Sequence, residues 1–153
     1  MDKYAIDTCS LINVAKNYNM KKTIFFPIWA KMSEMITSGL LISTSEVRDE
    51  LKDDDLVEWS KENKLLFLPL TEDIQKKTVD VLRDFPSMIK MKSTGNSNAD
   101  PFLIATALIE KAIIISDERL GDESSGNYRI PNVCREYGID CISLNDFLDR
   151  ILE

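Results

Sequence analysis

The stretch DPFLIATALIEKAIIIS (residues 100–116) carries the most information about the fold. It opens with helix-start signals: Asp100 or Asn98 as cap, and Pro101 in the first turn, where a missing N–H costs nothing. The residues that follow are apolar around nearly the whole helical girth. Such a helix has no face to give to water and belongs in the middle of a domain. The chain then enters AIIIS, a short run that is apolar at successive positions. That pattern suits a strand covered on both faces, as in parallel sheets. Two acids, Asp117 and Glu118, follow at once.

Outward from this core, strand and helix signals alternate. KYAIDT is β-rich and predicts a first strand. Helical spacing predicts helices over 11–18 and 27–38; in the second, Ile28, Met32, Met35 and Ile36 recur on one side and Gly39 suits the stop. LLIS (residues 40–43) predicts a second strand. Ser43 with Glu46 three residues on reads as a capping box opening the next helix, and KDDDLVEWSKEN continues it or forms a second short one. LLFLPL (residues 65–70) predicts a third strand closed by Pro69. Residues 72–85 form an amphipathic helix, with Ile74, Val81, Leu82 and Phe85 on one side. PSMIKMKSTGNSN and DERLGDESSGNYR read as loops, IPNVCREYG as a short helix ending at Gly138, DCISL as a last strand, and Asn145 as the cap of a final helix reaching Leu152. The alternation predicts a single three-layer α/β domain over residues 1–153, its mainly parallel central sheet flanked by helices.

Composition narrows the chemistry. The longest apolar runs fall short of the ~20 residues a membrane span needs. MDKYAIDT is acidic and already strand-like, unlike a signal peptide, so the expectation is a cytoplasmic protein without a membrane partner. Cys9, Cys134 and Cys141 give an odd count and no C-x-x-C, which speaks against a disulfide framework or zinc knuckle and for three reduced, mostly buried thiols. The chain has no histidine. That excludes Ser-His-Asp and Cys-His catalysis and imidazole zinc sites, leaving carboxylates, lysines, a cysteine or a metal. The net charge of −7 argues against nonspecific adhesion to nucleic acid, yet cations bound by clustered carboxylates would make one site far less negative.

The acids fall where an open parallel sheet places its ligands, at the carboxyl ends of strands near the point where strand order reverses. Asp7 ends the first predicted strand, Asp117 and Glu118 end AIIIS, and Asp100 opens the apolar helix. Glu46 and Glu50 lie one turn apart on one helical face. Each acid also has a plainer role available: Asp7 as a turn residue, Asp100 as an N-cap, Glu46 as a capping-box partner, Glu50, Asp117 and Glu118 as solvated surface. Together they suggest a site for a hard cation.

Four motifs in order resemble those of PIN-domain ribonucleases: IDTCSLI, SEVRDEL, ADPFLIATAL and IIISDERL. At closer range FFPIWAKMSEMITSGLLISTSEVRDEL, DDDLVEWSKENK, ADPFLIATAL and IPNVCREYGIDCISLNDFL resemble the uncharacterised bacterial PIN-like subfamily DUF4411. The resemblance implies a PIN-like fold and Mg²⁺- or Mn²⁺-dependent hydrolysis of RNA phosphodiester bonds, in many relatives as the toxin of a toxin–antitoxin pair. It implies RNA as substrate, and it allows a cognate antitoxin protein and a second copy of the chain as partners. Asp7, Glu46, Asp100 and Glu118 carry over as the catalytic acids, and Asp7, Asp100, Glu118 and the adjacent alternative Asp117 as metal ligands. Cys9 departs from the pattern, standing where Asn or Ser is commoner; a thiol is a poorer partner for hard metals and water. Lys90, Lys92, Arg119 and Arg129 lie in the two loops and are candidates for holding phosphates. The alternative is a PIN-like binding or regulatory module with weak or no turnover. A haloacid-dehalogenase-type phosphohydrolase needs a second aspartate two residues after Asp7, where Cys9 stands, and a dinucleotide site needs a glycine-rich turn that the first strand lacks.

Overall fold

The computed structural model describes residues 1–89 and 98–153. Among these, five strands alternate with eight α-helices: β1 (Tyr4–Ile6), α1 (Thr8–Asn17), α2 (Phe26–Thr37), β2 (Leu41–Thr44), α3 (Ser45–Glu50), α4 (Asp54–Glu62), β3 (Phe67–Leu68), α5 (Glu72–Asp84), α6 (Asp100–Glu110), β4 (Ile113–Ile115), α7 (Ile130–Tyr137), β5 (Cys141–Ile142) and α8 (Leu144–Ile151). The strands form one sheet in the order β3-β2-β1-β4-β5, and every pairing is parallel. Strand order reverses between β1 and β4. The crevice beyond their carboxyl ends is therefore the place where such a sheet accepts a ligand.

Side chains that alternate along the strands divide the core into two layers. Tyr4, Ile6, Leu41, Phe67 and Ile115 join one layer with α1, α2, α4 and α8. Their neighbours Ala5, Ile42 and Ile114 join the other with α5, α6 and α7. The continuous apolar character of AIIIS follows from this, since each face of β4 meets helices. Helix α6 is buried along most of its length, from Asp100 through Ala107 apart from Phe102. Its polar Thr106 is accommodated by donating its hydroxyl to the Phe102 carbonyl at 2.8 Å.

Several boundaries differ from the sequence expectation. The first helix starts at Thr8, directly after Asp7. Helix α3 is capped by Thr44, whose hydroxyl accepts from the Glu46 amide, and not by Ser43. Ser43 is buried in β2 and donates to the Ile6 carbonyl at 2.8 Å. Ala99 occupies the N-cap of α6 without a side-chain bond, and Asp100 is the first helical residue. The last helix is capped by Ser143 rather than Asn145. Helix ends are the least sharply encoded features of a sequence, and shifts of one or two residues are usual there. KDDDLVEWSKEN resolves into a separate α4 capped by Asp53. Of the three free thiols, Cys134 is buried, Cys141 half-buried and Cys9 exposed.

The loop that carries the chain from β4 to α7 is held by the buried side chain of Asn132. Its carbonyl oxygen accepts from the amides of Gly121 (2.7 Å) and Arg129 (3.0 Å), and its amide group donates to Gly121 (3.2 Å) and to Glu123 (2.9 Å). Gly121 passes so close to the loop's far strand that an added Cβ would sit 2.0 Å from the Asn127 carbonyl oxygen. Gly121→Ala should therefore destabilise the protein by about 1–3 kcal/mol through overpacking. A lower urea midpoint at unchanged slope is the expected result; a midpoint equal to wild type would show that this approach is not a constraint.

Candidate active site at the strand-order reversal

Asp7 occupies the crevice because of two backbone facts. Its amide donates to the Ile115 carbonyl at 3.2 Å, extending the β1–β4 pairing by one residue. Its extended conformation then places it at the N-cap of α1, where its carboxylate accepts from the Ser10 amide at 2.7 Å. The side chain is 3 % exposed. Burial raises its pKa; hydrogen bonds from Ser10 and Ser116 oppose that shift, and the nearby charge of Asp117 adds to it. Asp7 is thus both a helix cap and a buried acid at the switch point, so its plainer role and its functional one coexist.

The two acids after β4 are each tied to the start of a different helix. Asp117 is exposed, and its carboxylate accepts from the Leu144 amide of α8 at 2.9 Å. Glu118 is half-buried, and its carboxylate accepts from the Ile130 amide of α7 at 3.3 Å. Amides at a helix start carry partial positive charge and favour carboxylates. Ser116 joins this pair to Asp7: its side chain helps to lower the Asp7 pKa, and its hydroxyl accepts from the Glu118 amide at 3.2 Å. Asp117 acts electrostatically on Asp7, and Glu118 on Cys9.

Asp100 enters from α6, 4 % exposed. Glu46 and Glu50 come from α3, both half-buried. Glu50 is held against the first turn of α1, where the Thr8 hydroxyl donates to its carboxylate at 2.6 Å. Glu46 lies one turn earlier, its amide bonded to Thr44. The sequence places both on one helical face; the approach of α3 to α1 brings Glu50 in, and Thr8 is its partner. Cys9 registers the resulting field. Although the residue is exposed, burial of its thiol and the charges of Asp7, Asp100, Glu118 and Glu50 push its pKa up to about 11. A thiol held protonated at neutral pH is a poor nucleophile, so cysteine chemistry gives way to carboxylate chemistry here.

Among the described residues, no three acidic or thiol side chains close on a common point as a finished metal cage. The donor set still fits a hard divalent cation. Mg²⁺ is commonly held by one or two carboxylates while keeping several waters and meeting substrate phosphate. Asp7, Asp100, Glu118 and Asp117 are the carboxylates that would hold such an ion, and Glu50 adds its charge to the same surroundings. Arg119 is exposed and Arg129 half-buried, at the two ends of the loop that Asn132 pins. Lys90 and Lys92 lie outside the described residues. A separate groove of about 370 Å³, between Ile12, Lys16, Asp53 and their neighbours, contains none of these acids.

A family model described as "Domain of unknown function (DUF4411)" matches residues 4–152. No curated protein matches the chain.

The raised pKa of Asp7 has a consequence for stability. An acid whose folded pKa exceeds its unfolded value binds more protons when folded, so its ionisation weakens the fold as pH rises from the unfolded value of ~3.9 through the raised folded one. In metal-free protein, Asp7→Asn should melt at or above wild type near pH 7, and the two should converge towards pH 4. Thermal melts across that range in EDTA provide the check; a variant less stable by the same amount at every pH would show that the charge is not under strain.

Proposed function

The chain belongs to the DUF4411 family, and we propose that it is a PIN-like, metal-dependent ribonuclease that hydrolyses RNA phosphodiester bonds. The observation that carries the proposal is the convergence of acids from β1, α3, α6 and the β4 end on one crevice, with Asp7 and Asp100 buried there. Gathered carboxylates repel one another, and burial adds a desolvation cost that hydrogen bonds offset only in part. A cation relieves both. The lack of histidine leaves these carboxylates as the groups able to manage a phosphodiester at neutral pH. Resemblance to PIN-domain ribonucleases points to RNA as the substrate and extends the proposal to the toxin of a toxin–antitoxin pair, with a cognate antitoxin as partner.

Each side chain has a defined part. Asp7 and Asp100 hold Mg²⁺ or Mn²⁺, directly or through water, and Glu118 and Asp117 complete the ligand set. Glu50, oriented by Thr8, and Glu46 on the preceding turn tune the charge around it. When bound, the metal supplies a water of lowered pKa and neutralises charge on phosphoryl oxygens. Ser10, Ser116 and Thr8 keep the carboxylates in place through the bonds described above. Arg119 and Arg129 offer positive charge to RNA phosphates beside an otherwise acidic surface.

Asp7→Asn keeps the shape and an acceptor for the Ser10 amide while removing one negative charge. It should fold and lose RNA cleavage by roughly 10²-fold or more, equivalent to ~2.7 kcal/mol of barrier. EDTA should abolish wild-type cleavage, Mg²⁺ or Mn²⁺ should restore it, and Ca²⁺, with its looser geometry, should restore it poorly. Single-stranded and structured RNAs of varied sequence are needed as substrates. Folded Asp7→Asn protein that cuts as fast as wild type, with or without EDTA, would remove the nuclease reading and favour a binding or regulatory module.

The acids after β4 can be separated in the same assay. Asp117→Asn and Glu118→Gln both keep an acceptor for the helix amides that their carboxylates now bind, so each tests charge with little change in structure. Loss of cleavage in either variant identifies the working ligand, and wild-type rates in both would exclude this pair from the site.

A further inference from the structure

We propose that Asn132 is a positioning residue that fixes Arg129 as a phosphate-holding subsite for the RNA strand. The inference rests on the nuclease reading above and adds to it a point at which the strand is held.

The backbone around Arg129 is tied on both sides. Before it, the Tyr128 amide donates to the Ser87 hydroxyl at 3.3 Å, and the Tyr128 ring packs on Phe85 with centroids 5.1 Å apart. After it, the Ile130 amide donates to the Glu118 carboxylate at 3.3 Å. The Arg129 amide itself donates to the Asn132 side chain at 3.0 Å, and its carbonyl accepts from the Val133 amide at 3.1 Å. The stem is placed as well. Its Cγ would lie 3.2 Å from a Cβ added at Gly121, so it runs over the bare backbone of that glycine.

Asn132 makes more bonds than a helix start requires. It is 1 % exposed, and both acceptor and both donor positions of its side chain are used. One bond, to the Arg129 amide, serves the start of α7. Two hold Gly121 by its amide and its carbonyl, and the fourth reaches the Glu123 carboxylate. Asn132 thus fixes both the backbone of Arg129 and the surface on which its stem lies.

The charge at the end of that stem is kept available. Arg48, Arg83 and Arg135 each pair with a carboxylate. Among the described residues Arg129 makes no ion pair, although Asn132 bonds both its amide and the Glu123 carboxylate and the chain carries a net charge of −7. A half-buried arginine, held by its backbone and left without a carboxylate, suits an anion from outside. Guanidinium offers planar, paired donors to phosphate, and a fork already held in place loses less freedom on binding. Arg129 stands one residue from the bond that ties Glu118 to α7, so the phosphate it takes belongs to a strand crossing the acids.

The test uses the full chain. Cleavage of a short, fluorescein-labelled, single-stranded RNA of random sequence is followed in Mg²⁺, and binding of the same RNA by anisotropy in Ca²⁺. Arg129→Gln should raise KM and Kd by roughly tenfold, as expected for a lost charge-assisted bond, with little change in kcat. The slope of log Kd against log salt should fall by ~0.7, the amount for one phosphate on a single strand. Arg129→Lys should keep the slope and recover part of the affinity. Asn132→Ser is neutral and too short to bridge the two amides; it should raise KM and Kd like Arg129→Gln and add nothing to that variant, because both act through one group. Lys31→Gln, beside Met1 and Leu40 at the opposite end of the strands, controls for simple loss of charge and should bind as wild type. Should Asn132→Ser fail to fold, Glu123→Ala replaces it in the same cycle. It removes a partner of Asn132 together with a negative charge, so charge alone would tighten RNA binding, whereas a loosened clamp weakens it.

The proposal is overturned if Arg129→Gln keeps the wild-type KM and Kd while wild type cuts RNA, a result that leaves the nuclease reading standing. It is also overturned if the Asn132→Ser loss adds in full to that of Arg129→Gln, or if Asn132→Ser lowers kcat at unchanged KM, as a smaller folded fraction would. Wild type that binds RNA without cutting it removes the nuclease reading, and the Kd values then decide the clamp. Wild type that neither binds nor cuts overturns both.

Discussion

Much of the structure depends on one backbone hydrogen bond, from the Asp7 amide to the Ile115 carbonyl. It carries the β1–β4 pairing one residue past the end of β1, to where strand order reverses. Because it holds Asp7 in an extended conformation, the next residue can begin α1 with the Asp7 carboxylate as cap. A carboxylate at this depth would otherwise be costly; the Ser10 amide and the Ser116 hydroxyl offset part of that cost, as the causes of its pKa shift show. The ends of the two central strands, the direction of α1 and the site of a buried charge are thus set together.

The other acids are placed by the same economy of means. Asp117 and Glu118 are consecutive, yet one bonds the first turn of α8 and the other the first turn of α7. The helices gain partners for amides that have none within the helix, and the acids gain fixed positions at the crevice. Glu50 is held by the Thr8 hydroxyl. Helix formation and site construction use the same bonds here, so substitutions that remove an acceptor disturb both, whereas amide substitutions separate charge from structure.

Burial and charge together set the state of the Cys9 thiol. Although the residue as a whole is exposed, burial of its thiol and, after that, the charges of four neighbouring carboxylates push its pKa up to about 11.

The sequence by itself determined the fold class. The largely apolar α6 and the fully apolar β4 admit few arrangements other than a sheet with helices on both faces, since nearly every side of each must be covered. The left-handed stop at Gly138 and the separation of elements were legible for similarly local reasons, and so was the position of Asp7 after a strand. The choice among adjacent candidates was not. Ser43 and Thr44 are chemically interchangeable as caps until the Ile6 carbonyl takes Ser43, and Ser143 rather than Asn145 caps α8 because the helix begins at Leu144. Glu46 and Glu50 share a helical face, and only the approach of α3 to α1 ties Glu50 to Thr8. Asp117 and Glu118 separate only once α7 and α8 supply amides on different sides of the β4 end. Sequence spacing records which residues can share a face; which of them meets a partner depends on elements that are distant in the chain and adjacent only in the folded protein.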